Sequence, residues 1–393
     1  MNILFFSNIH ISPNRGGVER VTYTLSNALK ERGHNITLLS ATAPIDRDIL
    51  RDNQYILPQK ETYKHQNILY TKKLIQDKNI DIIVNQSETL SSHMLLNEAK
   101  GKCPQITCIH THPADLIKSI RDNWDLWISK DNYIKRIAKL PYYLLRCLFQ
   151  YYIRQKFLRH KYSRIYNESD NIILLSERYK KSFTEYARLS NDNKLHYIQN
   201  PNTYNKSQTV EKENLVLFVG RLEYSPKRAD RIIDVWNIIE KQNCSWQLKI
   251  LGDGPDRESL ELMAHKYGLR NISFEGIVDP FIYYKKAKII CGTSTTEGYP
   301  MVILEAIQNN IIPIVFDSYE ATHDIIEDKK TGFLIRPFRI KEYAKTLLML
   351  MNNNSLLTEM QNNIIEKSKT NQFDIDNTIT KWEELFKKIC FQG

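Results

Sequence analysis

Two glutamates stand eight residues apart in Thr296-Glu297-Gly298-Tyr-Pro-Met-Val-Ile-Leu-Glu305. Pro300 suits the first turn of a helix, and the open N–H groups at a helix N-terminus can donate to an anion. Glu297 would precede that helix. Glu305 would lie within it, among Ile303, Leu304, Ala306 and Ile307, which argues against a purely exposed face. Carboxylates so placed can accept hydrogen bonds from sugar hydroxyls. Upstream, the apolar run Leu217-Phe-Val ends in Gly220-Arg221-Leu222, and Lys227-Arg228 follow. A planar guanidinium beside a point-charge ammonium suits a diphosphate, although a basic surface turn would read the same way. Ile250-Leu-Gly252-Asp253-Gly254-Pro255 is a tight turn at a strand end. Near the start, Gly16-Gly17 open a helical stretch, and adjacent glycines let backbone N–H groups approach a phosphate. The loop before them is longer than the G-x-G-x-x-G turn of a dinucleotide site.

Short β-branched runs alternating with helical stretches would position these residues. Strands are expected at 2–6, 35–39, 80–84, 105–109, 171–175 and 195–198, then at 215–219, 247–251, 272–274, 287–291, 312–316 and 332–335. Most are continuous apolar runs, the mark of parallel strands covered on both faces. Helices are expected at 18–32, 230–242, 257–267 and 300–308. The alternation, repeated after the polar stretch 199–214, predicts two doubly wound α/β domains. They span 1–200 and 201–370, and a C-terminal helix at 371–393 returns to the first. Domains of this kind bind ligands at the carboxyl ends of their strands, here facing a shared cleft.

Composition narrows the partners. The 393 residues hold 55 Lys and Arg against 45 Asp and Glu, a formal net charge of +10. Between Lys118 and Arg164 stand twelve of those cations and only three acidic residues, so almost all the excess is local. Aromatics interleave with the cations in Pro141-Tyr-Tyr-Leu-Leu-Arg-Cys-Leu-Phe-Gln-Tyr-Tyr-Ile-Arg154. That mixture suits the headgroup region of an anionic bilayer; a basic surface helix with a tyrosine-rich buried face is the alternative. No nucleic-acid module is visible. The six cysteines show neither C-x-x-C nor metal-ligand spacing. The N-terminus lacks the basic region of a signal peptide, no run reaches the ~18 apolar residues of a spanning helix, and a cytoplasmic, peripheral protein is expected.

Taken together and in order, the motifs resemble those of family 4 retaining glycosyltransferases of the GT-B fold. The shared pattern is Gly16-Gly17-Val-Glu, Asn200-Pro201, Val219-Gly-Arg-Leu222, Gly252-Asp-Gly254, Phe274-Glu-Gly276, Glu297 to Glu305, and Asp328-Lys-Lys-Thr-Gly-Phe-Leu334. The resemblance implies a role for each residue. Arg221 and Lys227 would grip the donor diphosphate, with Arg228 as the substitute because Arg221 to Lys227 is one residue longer than the family spacing. Met301 and Val302 would offer N–H groups to the phosphates beside Gly298, and Gly16-Gly17 would close over them. Gly254 would belong to the same donor site. Glu305 would bind the ribose, Glu297 the transferred hexose, and backbone near Ile277 the base. His110, in Cys-Ile-His110-Thr-His112, matches a histidine near the reacting sugar.

The expected reaction moves a hexose or N-acetylhexosamine from a nucleotide sugar, by family habit UDP-linked, to a glycan or lipid-linked glycan in cell-surface polysaccharide assembly. Fixed cations and helix N–H groups would stabilise the departing nucleoside diphosphate. No cofactor and no catalytic metal are expected: Asp46-Arg-Asp48 and Asp374-Ile-Asp376 have the D-x-D form, but neither belongs to the cleft pattern. A GT-B-like sugar-nucleotide epimerase and a non-catalytic nucleotide-sugar-binding subunit are the alternatives.

Overall fold

The computed structural model of the chain describes residues 1–13, 16–44, 52–129, 133–203, 211–242, 245–368, 370 and 373–391. The chain opens with β1 (Asn2–Ser7), α1 (Gly17–Glu31), β2 (Asn35–Ser40), β3 (Gln54–Ile56), α2 (His65–Asp77) and β4 (Ile82–Asn85). It continues through α3 (Leu90–Ala99), β5 (Gln105–Ile109), α4 (Asp115–Ser129), α5 (Tyr133–Glu168), β6 (Asn171–Leu174), α6 (Tyr179–Ala187) and β7 (Leu195–Tyr197). The second series begins with β8 (Glu213–Val219), α7 (Ala229–Ile239), β9 (Gln247–Leu251), α8 (Arg257–Lys266), β10 (Ile272–Gly276) and α9 (Pro280–Tyr284). Next come β11 (Ala287–Gly292), α10 (Met301–Gln308), β12 (Ile312–Phe316), α11 (Thr322–Ile325) and β13 (Phe333–Ile335). Three helices end the chain: α12 (Ile340–Met351), α13 (Asn354–Ser368) and α14 (Ile375–Phe391).

Every strand expected from the sequence is present. The strand that sequence reasoning missed is β3, three half-buried residues at a sheet edge. It is held by backbone pairing with β2, so it carries no apolar run to detect. The first sheet has the order β3-β2-β1-β4-β5-β6-β7 and the second β10-β9-β8-β11-β12-β13, all parallel. Ile3, Leu4, Phe5 and Phe6 of β1 are wholly buried, as the continuous apolar run requires of a strand covered on both faces. Covering helices bury one stripe each: Val21, Leu25 and Leu29 of α1, and Ile232, Val235, Trp236 and Ile239 of α7. In each sheet the direction of strand addition reverses, between β1 and β4 and between β8 and β11. Doubly wound sheets bind ligands at such switch points.

Contacts divide the chain into two compact units. The first comprises residues 1–114, 155–203 and 372–393, and the second 115–154 and 204–371. Residues 115–154 therefore group with the second unit, whereas the sequence reading assigned Lys118–Arg164 as a whole to the N-terminal domain. The physical reason lies in the polar side chains of α4 described below. Within the first unit, α14 packs on α1, and Arg32 reaches Asp376 at 2.9 Å and Glu383 at 3.2 Å. In the linker, residues 204–210 lie outside the described part of the chain.

Candidate active site

At the switch point of the second sheet, the loops that leave β8 and β11 meet. Lys227, beyond β8, lies against the α-carbon of Gly220, its Cδ 3.6 Å from where a Cβ would stand. Its Nζ meets Glu297 Oε1, beyond β11, at 2.6 Å, and Ser294 Oγ donates to the same oxygen at 2.6 Å. Arg221 is more open, about two-thirds exposed, with Nε 3.3 Å from Glu223 Oε2. Burial, together with Asp256 and Glu297, raises the Glu223 pKa against the opposing pull of Arg221 and Lys227. Glu223 is a site residue the sequence reading passed over, although it directly follows Gly-Arg-Leu.

Arg228, the expected substitute for Lys227, is buried and paired with carboxylates. Its φ of 53° lies in the left-handed region that L-residues seldom occupy. That turn sends its side chain inward to Asp230 at 2.8 Å and Asp122 at 2.8 Å. Burial opposes the guanidinium charge, but those carboxylates outweigh it and hold the pKa above the ordinary value. Lys227 reaches Glu297.

Glycine makes the loop packing possible. The Gly220 N–H donates to Leu251 O at 3.0 Å and the Leu222 N–H to Asp253 O at 3.0 Å. A Cβ on Gly252, at φ +130°, would stand 2.0 Å from Gly220 O, and one on Gly254 would stand 2.3 Å from Leu222 O. Gly252 also donates to Gly276 O at 2.8 Å. Three successive loops are thereby joined backbone to backbone, with Arg221 on the first. Gly254 acts in this structure by permitting that approach. Ile277, just past β10, is 86% exposed, a flat apolar surface at the strand ends.

Pro300 sits at the N-cap of α10, one position ahead of the expected first turn. Met301 donates its N–H to Tyr299 O at 2.9 Å, and Ile303 and Leu304 donate to Pro300 O. The Val302 N–H makes no such backbone bond, so of the two expected phosphate donors it is the better placed. Gly298 is half-buried ahead of this turn. Glu305 is 1% exposed, and its Oε2 accepts from the Tyr284 hydroxyl at 2.9 Å. The expectation that Glu305 avoids a solvated face holds, and Tyr284 is the partner that no spacing announced.

In the first unit, His110 follows β5, and its Nε2 lies 2.5 Å from Gln86 Oε1, just beyond β4. Its Nδ1 is enclosed and unpaired among the described residues. Burial, opposed weakly by Glu88, pushes its pKa down to about 4, so the ring is neutral near pH 7. Thr111 donates to Glu88 at 2.5 Å. Gly16 is the N-cap of α1 and Gly17 its first residue; residues 14–15 of that loop lie outside the described part. Of the two D-x-D sequences, Asp46-Arg-Asp48 also lies outside it. Asp374 and Asp376 flank the start of α14, with Asp376 paired to Arg32. No cluster of three or more His, Cys, Asp or Glu suited to a metal occurs among the described residues.

The basic segment divides in two. In α4, Lys118 donates to Ser318 O at 2.8 Å, and Arg121 stacks 4.3 Å from the Phe338 ring centroid. Asp122 is fully buried. Along α5, by contrast, Leu144, Leu145, Leu148, Phe149, Tyr152 and Ile153 are 47–67% exposed, with Lys135, Lys139, Arg146, Lys156 and Arg159 exposed among them. Tyr143 and Tyr162 are buried, so the buried tyrosine face is real but partial. A groove of about 540 Å³ runs between the two helices, lined by Ile117, Ile120, Trp124, Leu148 and Tyr151 among others. No helix among the described residues is long and apolar enough to cross a membrane.

Comparison with known proteins places a boundary near residue 200. The family model described as Glycosyltransferase Family 4 matches residues 15–201, and that described as Glycosyl transferases group 1 matches residues 199–371. An uncharacterized glycosyltransferase of Haemophilus influenzae is 31% identical over 222 residues, 55% of this chain and 61% of that protein's length. A Campylobacter jejuni alpha-1,4-N-acetyl-D-galactosaminyltransferase, named for a diNAcBac-PP-undecaprenol-linked glycan, is 21% identical over 96% of both chains. Among solved structures, a TarM variant of S. aureus, in complex with alpha-GlcNAc-glycerol and UDP, superposes with a TM-score of 0.73 at 14% identity. That superposition covers 98% of this chain and 99% of TarM, and shows the shared fold.

Proposed function

The chain belongs to the family 4 glycosyltransferases of the GT-B fold, and from that premise we propose that it transfers a hexose or N-acetylhexosamine from a UDP-sugar, with retention, to a lipid-linked glycan. The observation that carries this reading is the meeting of Lys227 and Glu297 at 2.6 Å at the switch point of the second sheet, beside Arg221 and the N-terminus of α10. An ammonium, a guanidinium and the Val302 N–H there would suit a diphosphate. The carboxylates of Glu297 and Glu305 remain for hydroxyl groups.

An arriving diphosphate competes with Glu297 for Lys227 and with Glu223 for Arg221. Each ion pair it opens turns a carboxylate toward the ligand, so that Glu297 accepts from hexose hydroxyls while Glu305 accepts from the ribose. As the anomeric C–O bond breaks, its electron pair passes to the diphosphate oxygen. Lys227, Arg221 and the Val302 N–H stabilise the charge growing there, and such preorganised donors act most strongly in a site shielded from water. The acceptor hydroxyl attacks the same face, and its proton leaves to the diphosphate. In the first unit His110 is neutral near pH 7, since burial pushes its pKa down to about 4, so it does not act as an acid there. The reading assigns the leaving-group charge to these residues, with no metal or cofactor. The Campylobacter protein, named for a PP-undecaprenol glycan, and the S. aureus structure, which is in complex with UDP, support the acceptor and donor classes.

Calorimetric and thermal-shift titration with UDP, GDP and a panel of UDP-sugars, all in EDTA, tests the donor site. Specific binding raises stability by mass action. UDP should bind without metal, and Glu305→Ala should lose most of that affinity. No nucleotide binding by the wild type would sink the reading.

A further inference from the structure

Asp122 is an acidic residue inside the most basic segment of the chain, and its side chain has no exposed surface. Its Oδ1 accepts from Arg228 Nη1 at 2.8 Å, Arg231 Nη2 at 3.2 Å and Thr295 Oγ1 at 2.6 Å. Oδ2 accepts from Ser225 Oγ at 3.0 Å. Arg228 and Arg231 bond the same oxygen, so the two guanidiniums are neighbours whose repulsion the carboxylate offsets. Arg231 also reaches Thr293 O at 3.2 Å and stacks 3.8 Å from the Phe338 centroid. Arg121, one residue before Asp122, stacks on that same ring.

The partners of Asp122 fall on two loops. Ser225 and Arg228 bracket Lys227 on the loop after β8, and Thr295 stands two residues before Glu297 on the loop after β11. We propose that Asp122 is a positioning residue of the donor site: the two loops are already joined by Thr295 N–H to Pro226 O at 2.8 Å and Thr293 Oγ1 to Arg228 O at 2.8 Å, and one carboxylate from α4 braces both and so tightens the placement of Lys227 against Glu297. The proposal rests on the reading of those two residues as donor-site groups. It also accounts for the grouping of α4 with the second unit, since Lys118, Arg121 and Asp122, at i, i+3 and i+4 on one helical face, each contact that unit.

A double-mutant cycle on UDP affinity tests it. A charge-assisted hydrogen bond to phosphate contributes about tenfold to a hundredfold in affinity, so Asp122→Asn, by misplacing Lys227, should weaken UDP binding by up to that much. In a Lys227→Ala background the same change should alter affinity less than about twofold, because the group it positions is gone. A loss of equal size in both backgrounds, the signature of a merely structural residue, would overturn the proposal. Wild-type affinity in Asp122→Asn, with Lys227→Ala impaired, would overturn it while leaving the donor-site reading intact. Lys227→Ala at wild-type affinity would overturn both. If Asp122→Asn does not fold, Ser225→Ala and Thr295→Val each loosen one loop from the carboxylate and spare the ion pairs. Their losses should likewise vanish in the Lys227→Ala background, and persistence there would count against Asp122.

Discussion

Lys227 and Arg228 are adjacent cations whose order of importance no spacing could settle. The left-handed turn at Arg228 turns that side chain toward two buried aspartates, while Lys227 pairs with Glu297. Histidines show the same dependence on surroundings. His110 and His93 both have pKa values pushed down to about 4, in each case chiefly by burial, with Glu88 and Glu168 respectively opposing. An unfolded chain protonates histidine near its ordinary value of about 6.5. Between about pH 6.5 and 4 the unfolded state therefore binds more protons than the folded one, and stability falls as pH falls. Each histidine contributes a slope of up to about 1.4 kcal/mol per pH unit. Urea unfolding at pH 6.5, 5.75 and 5.0 should show this decline, and His93→Phe and His110→Phe should each flatten it by about one proton. An unchanged slope in both would mean that these rings already titrate normally in the fold.

At the scale of elements, the site is a set of loops held at fixed separations by backbone contact. Gly252 is the tightest point, with a positive φ and no room for a Cβ beside Gly220 O. Gly252→Ala should cost about 1–3 kcal/mol from backbone strain alone, with the steric displacement of Gly220 adding to it. Because Arg221 follows Gly220, UDP affinity should fall as well. A variant with wild-type melting temperature and wild-type UDP affinity would show that the 252–254 turn does not set the position of Arg221. The G-D-G sequence was legible as a turn, but its purpose was not, since nothing local says which backbone a turn touches.

Over the whole molecule, a net charge of +10 resolves into cations with different tasks. Lys118, Arg121 and Arg154 are turned to neighbouring groups within the second unit. Lys135, Lys139, Arg146, Lys156 and Arg159 stay exposed along α5 beside uncovered leucines and aromatics. Exposed apolar surface of this extent marks an interaction site. At roughly 1 kcal/mol for each cation near an anionic leaflet, five would suffice for reversible docking where α5 meets such a surface. Flotation with phosphatidylglycerol vesicles should carry the wild type upward at low salt and less at high salt. Replacing the five by glutamine should abolish flotation and spare UDP binding. Equal flotation by that variant would remove α5 as the membrane-facing element.

The sequence alone determined the two doubly wound units, nearly all strand positions, and the order of the glycine, arginine and glutamate motifs. Strand cores are continuous apolar runs, and turns advertise themselves through glycine, so both are local signals. It also set Glu305 apart as a residue unsuited to solvent. Tertiary structure decided which cation meets Glu297, that Tyr284 receives Glu305, and that α4 groups with the second unit. Those outcomes depend on polar contacts between residues as distant as Asp122 and Thr295. A buried polar contact of that kind leaves no periodicity, because its partners lie in separate elements and each looks, locally, like an ordinary surface residue.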